Sequence, residues 1–226
     1  MALSISQRIR RLLSPVKWHN LRSVHPISTA FGFDRGTPID RYYIEQFLAK
    51  HKHHIRGHVL EIEESLYSGI FGLNNITKLE ILSYKENMNA TIVGDLTNIE
   101  TLPENKIDCF ICTQTLQFIY DFRAAIEGSH FVLKKNGVML ATCAGITQIS
   151  RYDMDRWGDY WRFTTLSTLR LFEEVFGRGN VEVDCYGNVL STISFLEGIG
   201  AEELTKEELD YRDRDYELLI TIVATK

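Results

Sequence analysis

The sequence predicts an α/β fold with a doubly wound, mostly parallel sheet in one large domain. Its 226 residues, 44% hydrophobic and 24% charged, suit a globular domain with a sizeable core. Strand-like apolar segments alternate with amphipathic helical segments along most of the chain. The plainest unit is 107–140, where an apolar strand, an amphipathic helix, a Lys-Lys-Asn-Gly turn and a second apolar strand follow one another. Such alternation favours parallel strands covered by helices on both faces.

The elements can be placed in order. We expect strands at HVLEIE, ITKLEILSY, ATIVGDL, IDCFICTQ, GVMLATCA, VEVDCYGN and YELLITIVAT. Helices should follow the caps Asp40, Asp121 and Thr164 or Thr165, with a further helix in part of 190–210 and a tight turn at 136–137. Residues 26–39 are typical of an ordered loop. The linker SYKENMN is too short for a crossover helix, so it is either a loop or the second strand ends elsewhere.

The first 25 residues differ from the rest. They carry five cations and no acid: Arg8, Arg10, Arg11, Lys17 and Arg22. Apolar residues recur there at helical spacing: Ile5, Ile9, Leu12, Leu13 and Val16. This pattern fits either a helix docked on its own domain or a helix that binds a membrane surface or a partner. We therefore divide the chain into a basic helix or extension, 1–25, and a domain, 26–226.

Several classes of protein are disfavoured. A net charge of −5 gives no general case for nucleic-acid binding. We see no apolar run near the ~20 residues of a membrane-spanning helix, and arginines interrupt any secretory signal, so we expect a cytoplasmic protein, either free or peripheral to a membrane. Cys109 and Cys112 have C-x-x-C spacing, but in a strand they point to opposite faces, which favours reduced thiols. The histidines at 51, 53, 54 and 58 lack a thiol or carboxylate to complete a metal site, so we expect none.

Ligands of open α/β sheets bind at the carboxyl ends of the strands. The first strand ends Val59-Leu60-Glu61-Ile62, and the third ends Val93-Gly94-Asp95-Leu96. Together with the 107–140 unit, these endings resemble class I S-adenosylmethionine-dependent methyltransferases. The resemblance implies a Rossmann-like methyltransferase sheet with an antiparallel last strand, and S-adenosylmethionine as the cofactor.

The resemblance also implies roles for individual residues. Glu61 would lie beside the methionine moiety, and Asp95, with Leu96, at the adenine; Asp95 could instead cap the next turn. Glu80, 19 residues after Glu61, has the spacing of the acid that binds the ribose, or is an exposed strand residue. The polar trio Thr113, Gln114 and Thr115 would lie at the sulfonium end, or satisfy turn backbone.

One motif departs from the family. Alternating glycines are expected at 63, 65 and 67, where this chain has Glu63, Ser65 and Tyr67. The added side chains and the charge of Glu63 near the cofactor carboxylate oppose binding. Either the loop takes another path and still binds, with Ser65 as a cap and the next helix N-terminus facing the anion, or cofactor binding is weakened or lost.

Two longer motifs narrow the resemblance. Residues 31–45, FGFDRGTPIDRYYIE, and 159–164, DYWRFT, are similar to a bacterial subgroup that occurs alone or joined to glycosyltransferases, apparently in surface-glycan biosynthesis. This implies a small or glycan-linked acceptor and a possible glycosyltransferase partner. The implied substrate-binding residues are Arg35, Arg41, Tyr42, Trp161 and Arg162, and the candidate bases are Asp159, Tyr43 and Asp121.

Two functions remain. The first is a methyltransferase, favoured by Asp95 and the polar trio. The second is an inactive pseudo-methyltransferase that docks on a glycosyltransferase or a membrane, favoured by the changed glycine loop and the basic start. A nicotinamide-dependent enzyme is disfavoured because the chain lacks G-x-G-x-x-G.

Overall fold

A seven-stranded sheet organises the molecule. The computed structural model describes residues 5–17, 19 and 22–226. The strands are β1 (Gly57–Ile62), β2 (Ile76–Ser83), β3 (Ile92–Val93), β4 (Ile107–Thr113), β5 (Leu133–Ala144), β6 (Val181–Tyr186) and β7 (Leu219–Thr225), in the spatial order β3-β2-β1-β4-β5-β7-β6. Strands β1 to β5 pair in parallel, whereas β7 runs antiparallel to both β5 and β6. The expected fold class is confirmed, including the antiparallel last strand.

Helices cover both faces of the sheet. They are α1 (Ile5–Leu13), α2 (Ile39–His51), α3 (Leu66–Phe71), α4 (Phe122–Val132), α5 (Arg151–Met154), α6 (Thr165–Phe176), α7 (Val189–Leu196) and α8 (Lys206–Asp210). One apolar core joins α4 and α6 to the sheet, and the other joins α2 and α7. Cys112 belongs to the first core and Cys109 to the second, as expected for residues three apart in a strand.

Most local predictions hold, because short-range hydrogen bonds decide them. Asp121 caps α4 by accepting from the Ala124 amide, and Thr164 forms a reciprocal capping box with Ser167 in α6. The short linker between β2 and β3 is a loop, residues 84–91. The expectation that Asp40 caps α2 is wrong: Pro38 is the N-cap residue, and Asp40 lies inside the first turn.

The start of β5 also differs from expectation. We expected a tight turn at Asn136–Gly137 before the strand, but β5 already begins at Leu133. Asn136 takes a positive φ of 64° within it, and the pairing with β4 is irregular between Ile107 and Cys109. The Asn-Gly signal therefore marks an irregularity in the strand rather than its beginning.

The N-terminal helix α1 turns its apolar side chains to solvent. Ile5, Leu12 and Leu13 are each at least 78% exposed, and Ile9 is 51% exposed. The side chain of Arg8, one of the five expected cations, lies outside the described residues. In the described part of the chain, no helix is both long enough and apolar enough to span a membrane.

Candidate functional site

A cavity of about 1580 Å³ opens at the carboxyl ends of the parallel strands, beside the switch point between β1 and β4. One side, which we call the strand-end half, is formed by residues 61–64, 83–87, 94–97 and 113–115. The other, the rim half, is formed by residues 118–121 and side chains from the segment 147–162. The volume exceeds the ~300–1,000 Å³ typical of single small-molecule sites, so the cavity has room for two ligands.

Glu61, the second-last residue of β1, has a buried carboxylate. Its two oxygens accept hydrogen bonds from the backbone amides of Tyr67, at 2.9 Å, and Ser68, at 2.8 Å. Burial raises the pKa of Glu61. Two amides in the first turn of α3, a helix of only six residues, therefore already donate to Glu61. This arrangement contradicts the expectation that the N-terminus of α3 faces a bound anion, and Ser65 at the N-cap makes no side-chain capping bond.

Glu63 stands where the family has its first glycine, and its backbone adopts the left-handed conformation that glycine favours, with φ of 60°. The side chain turns toward the end of β2. The Ser83 hydroxyl oxygen lies 2.9 and 3.1 Å from the two carboxylate oxygens, and Asn87 Nδ2 donates at 3.3 Å. The loop after β1 thus keeps a glycine-like path despite carrying a charged side chain.

Asp95 and Leu96 follow β3 and line the cavity. Asp95 Oδ1 accepts from the backbone amide and the hydroxyl of Thr97, both at 2.8 Å, so the turn-capping alternative is present in the structure. Within the described chain, Oδ2 of Asp95 makes no hydrogen bond, which leaves it able to accept one from a ligand.

The polar trio after β4 lines the same cavity. Thr115 satisfies turn backbone, because its hydroxyl donates to the Thr113 carbonyl at 3.0 Å. Gln114 instead reaches across the cavity: at φ of 48°, its Nε2 donates to Asp40 Oδ2 at 3.3 Å. Burial raises the pKa of Asp40.

Gln117 extends this contact inward. The residue is 3% exposed, and its Nε2 donates to Gln114 Oε1 at 2.8 Å. Its own Oε1 is buried without a hydrogen-bond partner among the described residues. A buried acceptor without a partner beside a cavity points to a ligand or water that supplies the missing donor.

The rim half has paired charges and aromatic surfaces. The Asp159 side chain, 1% exposed, accepts from both terminal nitrogens of Arg162, at 2.5 and 2.9 Å, and from the Ser150 amide at 3.0 Å. Around this pair, Tyr120 and Tyr160 meet edge to face with ring centroids 5.4 Å apart. Aromatic rings therefore line this half of the cavity, and Asp159 has no free oxygen for proton transfer.

Several expected site residues lie away from the cavity. Glu80 sits within β2, not at its end, and its carboxylate binds Lys78. Arg35 forms a two-point ion pair with Glu203, at 2.8 and 2.5 Å, so its guanidinium is already engaged outside the cavity.

The two phenols of the 31–45 motif also point elsewhere. The Tyr42 hydroxyl donates to Asp210 at 2.9 Å, and the fully buried Tyr43 donates to the Leu209 carbonyl at 2.8 Å. Both anchor α2 to α8, so the expectation that Tyr43 acts as a base is wrong. Trp161 is a core anchor that packs edge to face on Phe122 at 5.1 Å.

The remaining candidates line the cavity. Arg41 lies there with its guanidinium 4.8 Å from the centre of the Phe33 ring, and it forms no ion pair with a described carboxylate. Asp121 also lines the cavity, while its Oδ1 caps α4. Sequence reasoning missed Ser83, Asn87 and Gln117 as cavity residues. None of them has a motif signal, because the loop paths alone bring them there.

Among the described residues, no group of three or more histidine, cysteine or carboxylate side chains is arranged to hold a metal ion. His51, His53 and His54 instead contact one another ring to ring near the end of α2. Burial lowers the pKa of His51 and of His54.

A model of a methyltransferase domain family matches residues 68–141. We found no match among curated protein sequences. A methyltransferase from Archaeoglobus fulgidus, described as dependent on S-adenosylmethionine, superposes with a TM-score of 0.51 at 13% identity, covering 82% of this chain and 94% of that one.

Two further solved structures are similar. An S-adenosylmethionine-dependent methyltransferase from Mesorhizobium loti has a TM-score of 0.53 at 13% identity, covering 83% and 98% of the two chains. The [4+2]-cyclase SpnF has a TM-score of 0.54 at 15% identity, covering 90% and 87%. At such identities the superpositions establish the fold. The chain therefore has the fold of S-adenosylmethionine-dependent methyltransferases, and part of its sequence, residues 68–141, matches a methyltransferase domain family.

Proposed function

We propose that this protein transfers the methyl group of S-adenosylmethionine to an oxygen or nitrogen of a small-molecule or glycan-linked acceptor. The observation that carries the proposal is the position of Asp95 and Gln114. Both face one cavity at strand ends, and the family holds adenine and the sulfonium at such positions. In the rim half, Asp159 and Arg162 pair with each other, so that side of the cavity has space for a second ligand, the acceptor.

The strand-end half fits the cofactor in spite of the changed glycine motif. The backbone at Glu63 keeps a left-handed, glycine-like path, so the main chain still leaves room at this turn. Asp95 has a free carboxylate oxygen for the adenine amino group, and Leu96 supplies an apolar contact beside it. The unpartnered Oε1 of Gln117 offers another acceptor inside the cavity.

The cofactor supplies an activated methyl group, and the chain contributes positioning, exclusion of water and a proton acceptor. Asp40 is the carboxylate best suited to that last role. It lines the cavity, the Gln114 amide holds it, and its raised pKa makes it a stronger base than an exposed aspartate. Asp159 and Asp121, in contrast, are engaged by Arg162 and by the start of α4.

The rim half favours a neutral, sugar-like acceptor. Its buried carboxylate, Asp159, is paired with Arg162, whereas the aromatic rings of Tyr120 and Tyr160 are 70% and 48% exposed. Exposed aromatic faces suit stacking on a sugar ring. Arg41, which has no ion-pair partner among the described residues, can bind a phosphate or carboxylate of the same substrate. A role in bacterial surface-polysaccharide biosynthesis, with a glycosyltransferase as partner, follows from the 31–45 and 159–164 motifs.

Calorimetric titration of the purified protein with S-adenosylmethionine and S-adenosylhomocysteine tests the proposal. We expect saturable binding that Asp95→Ala weakens strongly, followed by methyl transfer in a screen of nucleotide sugars and glycans. A folded protein that gives no heat at millimolar ligand would contradict cofactor binding and favour the alternative, an inactive scaffold.

A second role, attachment of the protein to a membrane surface, is favoured by α1. Its apolar side chains Ile5, Ile9, Leu12 and Leu13 share one side of the helix and are exposed, and Arg10 and Arg11 are exposed beside them. All 30 acidic residues lie outside 1–25, so this segment is the part of the chain that an anionic bilayer attracts.

Sedimentation of the full chain with phosphatidylserine-containing vesicles tests this role. We expect Leu12→Glu to abolish co-sedimentation, and neutral phosphatidylcholine vesicles to bind weakly. Leu166→Glu is the matched control, because Leu166 is 62% exposed on the unrelated helix α6. Equal sedimentation of the wild type and Leu12→Glu would exclude α1 as a membrane anchor.

A further inference from the structure

The end of β2 lacks the acid that a ribose site requires. In dinucleotide and related nucleotide sites, a carboxylate about 20 residues after the first motif binds the ribose hydroxyls. Here β2 ends at Ser83, and Glu80, which has the expected spacing, lies three residues before that end. The Glu80 carboxylate is held by Lys78 and lies 3.5 Å from His58 Nε2, so it does not line the cavity.

Glu63 brings a carboxylate to the same place from the neighbouring strand. Ile62 pairs with Leu82, and the Glu63 amide donates to the Leu82 carbonyl at 2.9 Å. Glu63 therefore sits directly beside Ser83. Its carboxylate lies within hydrogen-bond distance of the Ser83 hydroxyl and of Asn87 Nδ2. The acid is supplied by β1 rather than by β2.

The backbone conformation is specific to this arrangement. A left-handed φ of 60° is unfavourable for a residue with a Cβ atom and persists only where surrounding contacts hold it. Glycine would adopt the same path without strain. The presence of glutamate at this strained position, with its side chain turned into the cavity, points to a role for the carboxylate itself.

The carboxylate also retains capacity for a ligand. Glu63 is an exposed residue that lines the cavity, and its hydrogen bonds come from neutral groups. No lysine or arginine among the described residues pairs with it. A carboxylate offers about four acceptor positions, and a pair of neighbouring hydroxyls donates two hydrogen bonds with matching spacing.

We propose that Glu63 binds the two ribose hydroxyls of S-adenosylmethionine, in place of an acid at the end of β2. The inference rests on the proposed cofactor, and it reverses the expected effect of the substitution in the glycine motif. The side chain that seemed to oppose the cofactor carboxylate is directed to the ribose instead. Glu63 thus accounts for both departures from the family: it replaces the first glycine, and it supplies the carboxylate that is missing at the end of β2.

Calorimetric titration of the full chain with S-adenosylhomocysteine and with its 2′-deoxy analogue tests this assignment. The variants are Glu63→Gln, Glu63→Gly and the matched control Glu80→Gln. We expect both substitutions of Glu63 to weaken S-adenosylhomocysteine about 10- to 100-fold, as for hydrogen bonds to a charged group. Glu80→Gln should bind S-adenosylhomocysteine as the wild type does. For the 2′-deoxy analogue, the difference in affinity between the wild type and Glu63→Gln should be smaller than for S-adenosylhomocysteine. Circular dichroism melting establishes that each variant is folded.

The outcomes separate this inference from the proposed function. If the wild type binds and Glu63→Gln binds equally well, the ribose assignment is wrong while the cofactor stands. Tighter binding by Glu63→Gly would mean that the carboxylate opposes the ligand, and would also overturn the assignment. Absence of binding by the folded wild type would remove the cofactor and this inference with it.

Discussion

The two halves of the cavity are built from similar residue types in opposite ways. In the strand-end half, Glu63 and Asp95 accept hydrogen bonds from neutral groups and form no ion pair among the described residues. In the rim half, Asp159 and Arg162 satisfy each other, and aromatic rings cover the surface around them. The difference teaches that a charged residue indicates a ligand site only when its partner is absent.

The sequence motif 159–164 has more charged and aromatic residues than any strand end, yet its ion pair fixes the segment rather than contacting a ligand. The acceptors available to ligands are single carboxylates and amides in loops.

Asp40→Asn should slow methyl transfer about 100-fold or more, because an amide cannot take the proton of an acceptor hydroxyl. Affinity for S-adenosylhomocysteine should stay unchanged, which separates a role in transfer from a role in folding. The measurement is the single-turnover rate with an acceptor from the nucleotide-sugar and glycan screen. Asp155→Asn, an exposed substitution outside the cavity, is the control. An unchanged rate would assign the proton to solvent or to another group.

Arg162→Met should destabilise the fold by about 3 kcal/mol, since it leaves the buried Asp159 carboxylate without its cation. The matched control is Arg123→Met, which breaks an ion pair to Glu174 whose side chains are 55% and 50% exposed. That change should cost about 0–1 kcal/mol. Urea unfolding of both variants measures the difference. Equal effects would mean that the rim pair is not structural, and the two halves of the cavity would no longer contrast.

Tyr160→Ala should weaken acceptor binding about 3- to 10-fold and leave S-adenosylhomocysteine affinity unchanged, because the ring lies in the rim half. Only the side chain is removed; the backbone amide of Tyr160 still donates to the Gln117 carbonyl. The measurement is KM for the acceptor beside calorimetry with the cofactor product. A loss of cofactor affinity instead would show that the two halves do not bind separate ligands.

The sequence predicted the fold well because its evidence was local. Apolar runs located the strands, and the capping residues Asp121 and Thr164 marked two helix starts through bonds to residues three positions away. Asp95 was also found from sequence, since a strand end and a residue type coincide there. Such signals require no knowledge of how distant segments meet.

The site was predicted less well because long-range packing decides it. Spacing selected Glu80, but residue count alone does not tell which carboxylate reaches the end of a strand. The motif 31–45 was expected to supply substrate-binding residues, yet Tyr42 and Tyr43 contact α8, whose position the sequence does not reveal. A glycine motif without glycines indicated a loss, whereas the backbone at Glu63 preserves the turn.

The smallest predicted effect concerns pH and the strand-end half. Burial raises the folded-state pKa of Glu61 above its ordinary 4.5. Well below that pH the Glu61 carboxyl is protonated in both the folded and the unfolded chain. As pH rises, the carboxyl ionises first in the unfolded chain. The contribution of Glu61 to stability therefore falls until the pH passes its folded-state pKa. Glu61→Gln does not titrate. The free energy of unfolding of Glu61→Gln minus that of the wild type, both measured by urea titration, should therefore increase as pH rises above 4.5. A constant difference would show that the bonds from Tyr67 and Ser68 fully offset the burial of this carboxylate.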